Sequence, residues 1–279
     1  MKTVTPVSSW SENFPPAPTW TSKDIPDLGG KVFVVTGGYG GIGYETTVRS
    51  CDGEDKGHSS MGRHVESTFG TRRKGLHPRT IPIQIRVLCH PSVIHPIQSN
   101  RPHFIPCDLA SILSTKTAAE KVLSLEPIIH VLFCSAGLAW FPYSSKSGDG
   151  YELTWHTNVM GHFILSQLLM DALEKGFEET GKKGRVVWTS SYGLNTAPKG
   201  GVALESLKAD DKGMVGAGFN RQALYGQVRH VSLPRGRSRV RLIGVFGSQS
   251  KLAMVVVSNE IERRHGDKIL TIALNPGST

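Results

Sequence analysis

Nothing in this chain stays apolar over the roughly 18–20 consecutive residues that a bilayer-crossing helix needs, so a helical membrane span is excluded on sequence grounds. The opening MKTVTPVSSWSENFPPAPTW lacks the uninterrupted apolar stretch of a secretory leader and the Arg-rich pattern of a transit peptide, and a cytoplasmic protein is expected. Cysteine is scarce: Cys51, Cys89, Cys107 and Cys134 are scattered, with no CxxC pair. They read as reduced thiols, not as a disulfide framework or a zinc site. His58, His64, His77, His90 and His95 show no ligand spacing and no partner carboxylates, so no metal site is expected. Internal repeats and low-complexity tracts are also missing.

Acidic residues are absent from two long stretches. Residues 68–101 carry Arg72, Arg73, Lys74, Arg79, Arg86 and Arg101 without an Asp or Glu, and residues 228–250 carry Arg229, Arg235, Arg237, Arg239 and Arg241 likewise. These two stretches account for more than the whole net charge of +9 and leave the remainder slightly acidic. A near-neutral body with two basic inserts is not a basic domain, so nucleic acid is not an expected partner. Both inserts are expected to lie outside the folded sheet, exposed and irregular.

What is present is an alternation of short apolar runs and amphipathic stretches. KVFVVT at 31–36, HFIP at 103–106, IIHVLFC at 128–134, GRVVWTS at 184–190 and ILTIAL at 269–274 read as strands buried on both faces. Helical patterns lie at 42–48, 112–125, 151–174 and 251–264. Strands alternating with helices predict an α/β fold with a doubly wound, Rossmann-type parallel sheet. Residues 1–29, rich in Pro, Ser and Trp, read as an N-terminal arm, and 30–279 as one domain. The 279 residues suffice for a substantial core.

TGGYGGIG at 36–43 follows the first strand at once and opens a helix. A dinucleotide pyrophosphate needs bare backbone N–H groups at a helix N-terminus, where the dipole favours anions. Glycine allows the tight turn and the close approach of phosphate. A plain glycine turn is the alternative, and the strand–turn–helix setting favours the nucleotide.

This motif resembles the TGxxxGxG signature of the short-chain dehydrogenase/reductases. The resemblance continues, in order, through Asp108-Leu109, Cys134-Ser135-Ala136-Gly137, Thr157-Asn158-Val159-Met160-Gly161-His162-Phe163, Val187-Trp188-Thr189-Ser190-Ser191, Tyr225-Gly226-Gln227, Ser250-Lys251-Leu252-Ala253 and Asn275-Pro276-Gly277. DIPDLGGKV and SKLAMVVVSNEI resemble the fungal and retinol-dehydrogenase-like branch. The resemblance implies an oxidoreductase that passes a hydride between NAD(P)(H) and a small alcohol or carbonyl substrate. It implies NADP as cofactor, without excluding NAD. Tyr225 would be the acid/base, Lys251 the cation that lowers the phenol pKa and holds the ribose, Ser191 the group that orients the carbonyl, and Asn158 a member of the proton relay. Gly37, Gly41, Ile42, Gly43, Asp108, Ser135, Ala136, Gly137, Tyr225, Lys251, Pro276 and Gly277 would line the cofactor. An oligomer is compatible with this.

The pattern is broken in three places. Tyrosine and lysine stand four apart in the family, on one helix face, but Tyr225 and Lys251 are 26 apart here. Omitting 228–249 would give Tyr225-Gly226-Gln227-Ser250-Lys251. The second strand of the family, which reads the adenosine ribose, has no counterpart directly after the first helix; IPIQIRVL at 81–88 could be recruited. The sequence given ends at Thr279, straight after the Pro-Gly motif, so an incomplete domain is expected. A catalytically inactive relative, or a product carrying translated non-coding sequence, that at most binds nucleotide or a partner is therefore the alternative reading.

Overall fold

A computed structural model describes residues 17, 19–21, 24–52, 83–87, 103–139, 145–198, 200–204, 207 and 245–277. Its centre is strand β1 (Val32–Thr36), in which every residue is buried. An apolar β-branched run of this kind is stable only where the sheet is covered on both faces. Helix α1 (Gly41–Asp52) follows the glycine turn. Next come β2 (Ile83–Val87), β3 (His103–Ile105), α2 (Ile112–Leu125) and β4 (Val131–Cys134).

The long helical region is interrupted. It runs as α3 (Leu153–Trp155), a π-turn (His156–Met160), α4 (Gly161–Leu168) and α5 (Met170–Thr180). Strand β5 (Gly184–Thr189) leads into a 3₁₀ turn (Tyr192–Thr196), and α6 (Val245–His265) leads into β6 (Ile269–Leu274).

The strands form one sheet in the order β3-β2-β1-β4-β5-β6. The pairs β1–β4, β4–β5 and β5–β6 are parallel, which bears out the α/β, Rossmann-type fold class. Two expectations are corrected. Residues 68–101 do not all lie outside the sheet, because Ile83–Val87 pairs with both β1 and β3. Both ladders are antiparallel, so this strand runs against its neighbours. Hydrogen-bond accounting explains why a strand stands here: β1 is buried and its outer edge must be paired, a need that a strand meets in either direction.

Residues 228–249 are not wholly irregular either. Helix α6 begins at Val245, six residues before Lys251, and Ser248 and Gln249 are buried. Gln249 Oε1 accepts the N–H of Ala203 at 2.7 Å. Arg235, Arg237 and Arg239 lie outside the described residues.

The main core joins Val34, Leu132, Val186 and Trp188 of the sheet to Ala118, Val122, Leu165, Leu173 and Met254 of the helices. On the other face Phe33, Val131 and Val187 pack with Leu28, so the described end of the N-terminal arm belongs to the folded body. Gly161 opens α4 where a Cβ would run into the carbonyl oxygen of Leu109. The backbone there is ordinary helix, so space and not conformation demands glycine. Gly161→Ala is expected to cost about 1–3 kcal/mol in a urea titration. A cost near zero would show that the β3–α2 turn can give way.

Candidate active site

Strands β1, β4 and β5 finish side by side, and the polar side chains at their carboxyl ends are laced together. Thr36 Oγ1 accepts the N–H groups of Ser135 and Ala136, each at 3.0 Å. Thr189 Oγ1 donates to Ser135 Oγ at 3.3 Å. The glycine turn closes tightly above this. Gly37 has φ +71°, and a Cβ there would lie 2.9 Å from Ala136 Cα. A Cβ on Gly43 would lie 2.6 Å from the Gly37 carbonyl oxygen. Gly41 and Ile42 form the exposed first turn of α1, whose N–H groups have no acceptor within the helix.

Asn158 is buried in the π-turn. Its Oδ1 accepts the N–H of Leu138 at 2.7 Å, and its Nδ2 donates to Leu138 O at 3.0 Å and to Ser250 Oγ at 3.1 Å. It thus ties the loop after β4 to α6. Glu152, wholly buried, starts this helical region by accepting the N–H groups of Thr154 at 3.0 Å and Trp155 at 2.6 Å. Burial pushes its carboxyl above the usual range.

Lys251 projects from α6 to the end of β5, where its Nζ donates to Thr189 O at 2.7 Å. Ser190 Oγ in turn donates to Lys251 O at 2.8 Å. Among the described residues no ion pair includes Lys251. Burial alone lowers its pKa from 10.5 to about 8. Amine labelling of Lys251 is expected to show a midpoint near this value, and a midpoint near 10.5 would contradict the burial. The unfolded chain holds this proton more tightly, so the lysine's penalty on folding is complete below about pH 8 and relieved as pH rises from there towards 10.5. Lys251→Met should flatten that rise.

Ser191 sits two residues past the end of β5 and caps the 3₁₀ turn, its Oγ accepting the Gly193 N–H at 3.1 Å. The structure therefore gathers the glycine turn, Ser135, Ala136, Gly137, Asn158, Ser191 and Lys251 around the ends of the central strands. Asp108 lies in the β3–α2 turn, where its Oδ1 accepts the Ala110 N–H; helix α2 is capped by Ser111 instead. Pro276 and Gly277 are exposed just beyond β6. Tyr225 lies outside the described residues.

Two features escaped the sequence reading. Thr36 and His162 stand inside quoted motifs, but only the fold reveals that they touch. The register of α6 places Gly247 four residues before Lys251, on the same helix face. The residues ahead of the lysine therefore read Gly247-Ser248-Gln249-Ser250. Chemically, the site offers N–H groups suited to phosphate and a cation suited to hydroxyl groups.

A family model described as short chain dehydrogenase matches residues 92–209. A short-chain dehydrogenase/reductase of Armillaria gallica is 32% identical over 269 residues, covering 96% of this chain and 71% of that protein. One of Phomopsis amygdali is 28% identical over 275 residues, covering 97% and 69%. An uncharacterized oxidoreductase of Schizosaccharomyces pombe is 32% identical over 267 residues, covering 93% and 63%.

Proposed function

The chain belongs to the short-chain dehydrogenase/reductase family, and on that premise we propose that it binds a nicotinamide nucleotide and serves hydride transfer between that nucleotide and a small alcohol or carbonyl compound. The observation that carries this reading is the placement of Lys251 Nζ at the end of β5, on the helix whose preceding residue, Ser250, bonds Asn158. The residues fit the cofactor: Gly37 and Gly43 let the turn close tightly so that the N–H groups at the start of α1 stay bare, and among the described residues no carboxylate pairs with the buried amine. When bound, the nicotinamide gives or takes the hydride.

The protein's own residues supply the rest. The N-terminus of α1, with Gly41, Ile42 and Gly43, holds the pyrophosphate. Ser135, Ala136 and Gly137 wall the cleft, with Asp108, Pro276 and Gly277 at its margins. Lys251 holds ribose hydroxyls. Ser191 orients the carbonyl, Asn158 fixes the relay, and Tyr225 delivers the proton. NADP is preferred over NAD, in line with the branch that the motifs resemble. A cytoplasmic setting suits Cys107 and Cys134, which are buried, unpaired thiols.

Titration with NADPH and NADH, followed by fluorescence, tests the first half of this reading. Turnover of simple aldehydes and ketones tests the second. Gly43→Ala is expected to weaken NADPH binding about tenfold or more, since the new methyl must push the turn open. Unchanged binding would place the nucleotide elsewhere. A second reading, nucleotide binding without turnover, is favoured by one observation: Gly247 occupies the helix position where a phenol partner of Lys251 would be expected. NADPH binding with no turnover of any carbonyl would support it.

A further inference from the structure

His162 is completely buried, in α4, with its ring edge towards Trp188 at a centroid distance of 6.3 Å. Both ring nitrogens are engaged. Nδ1 lies 2.9 Å from the Asn158 carbonyl oxygen, and Nε2 lies 2.8 Å from Thr36 Oγ1. These contacts determine where the protons are. A carbonyl oxygen only accepts, so Nδ1 carries the hydrogen. In a neutral ring Nε2 then accepts, and the donor must be the Thr36 hydroxyl. Phe133 O, at 3.2 Å from Thr36 Oγ1, competes for that single proton. Were Phe133 O to take it, lone pairs of Nε2 and Oγ1 would face each other at 2.8 Å. The opposite tautomer would set lone pairs of Nδ1 and Asn158 O against each other. Desolvation, helped by the charge of Lys251 and opposed by the bond to Asn158 O, lowers the ring pKa to about 4 and keeps it neutral.

We propose that His162 is a positioning residue: as the Nδ1–H tautomer it accepts at Nε2 a hydrogen bond from the Thr36 hydroxyl, leaves both oxygen lone pairs of Thr36 for the N–H groups of Ser135 and Ala136, and so locks the nucleotide cradle to Asn158. The chain of bonds runs from the end of β1 through His162 to the π-turn, and through Asn158 to Ser250 beside Lys251. This role rests on the nucleotide-binding reading above.

Two measurements test it. Proton–nitrogen correlation spectra of the unaltered chain should show His162 as the Nδ1–H tautomer, without titration between about pH 5 and pH 9. Fluorescence titration with NADPH should show that His162→Phe weakens binding about tenfold, the loss expected for one buried hydrogen bond. His162→Gln, whose amide can both accept from Thr36 and donate to Asn158 O, should recover most of that loss. Thr36→Val combined with His162→Phe should bind no more weakly than Thr36→Val alone. An Nε2–H tautomer, a ring that titrates near the ordinary histidine value, or NADPH binding equal in His162→Phe and the unaltered chain would each overturn the role of His162. Failure of the unaltered chain to bind NADPH or NADH would overturn the nucleotide-binding reading, and the positioning role with it.

Discussion

Deletion of residues 228–249 is expected to raise the rate of carbonyl reduction by roughly 10²–10⁴-fold over the parent chain, the usual worth of a placed acid/base. The deletion joins Tyr225-Gly226-Gln227 to Ser250, and the register of α6 defines what replaces what. Gln227 takes the place of Gln249, the same residue type that now accepts the Ala203 N–H. Gly226 takes the place of Ser248, and Tyr225 that of Gly247. The phenol then stands one turn before Lys251. The ammonium group favours phenolate and lowers a pKa that is ordinarily about 10. Tyr225→Phe in the deleted chain should remove the gain and leave NADPH binding nearly intact, because the ring still packs and only the hydroxyl is lost. Gly247→Tyr in the full chain is the smaller version of the same repair and should give part of the gain. The measurement is NADPH consumption with simple aldehydes. A deleted chain that binds NADPH and turns over no faster than its parent would show that the phenol is not what the site needs.

Trp188→Ala is expected to destabilise the fold by about 3–5 kcal/mol, measured as a shift of the urea midpoint. Among the described residues Trp188 is the largest fully buried side chain; its strand neighbours are Cys134 on β4 and Ala273 on β6. Truncation leaves a void that neighbouring strands cannot close, because their registers are held on both sides. It also removes the wall behind His162, so NADPH affinity should fall with stability. Trp188→Phe should cost clearly less. Among the described residues the indole Nε1 has no hydrogen-bond partner, and phenylalanine drops that unsatisfied donor while keeping most of the apolar volume. Equal losses in the two variants would mean that the indole N–H is bonded after all.

The strands of the Rossmann-type core were legible because their information is local. KVFVVT, IIHVLFC and GRVVWTS are too apolar to stand anywhere but between two covered faces, and β1, β4 and β5 lie inside those stretches. The glycine turn was legible for the same reason: Gly37 and Gly43 serve contacts within the turn or with the neighbouring strand end. Lys251 and Asn158 were read from their motifs, and the fold brings Asn158 against Ser250, the residue before Lys251, across 92 positions of chain.

What composition and periodicity could not supply were choices made by distant partners. Strand β2 comes from a basic, proline-containing stretch, pairs because β1 and β3 present unpaired edges, and runs antiparallel to both. Helix α6 extends back to Val245, and within it Gln249 accepts the N–H of Ala203, in another part of the chain. His162 gains its role from Thr36, 126 residues away. The sequence by itself determined which segments must be buried and which turn can face an anion, since both follow from the residues' own side chains and backbone freedom. Tertiary structure alone decided strand direction, helix register and the tautomer of a buried ring, because each depends on which donors and acceptors the rest of the fold has left unpaired.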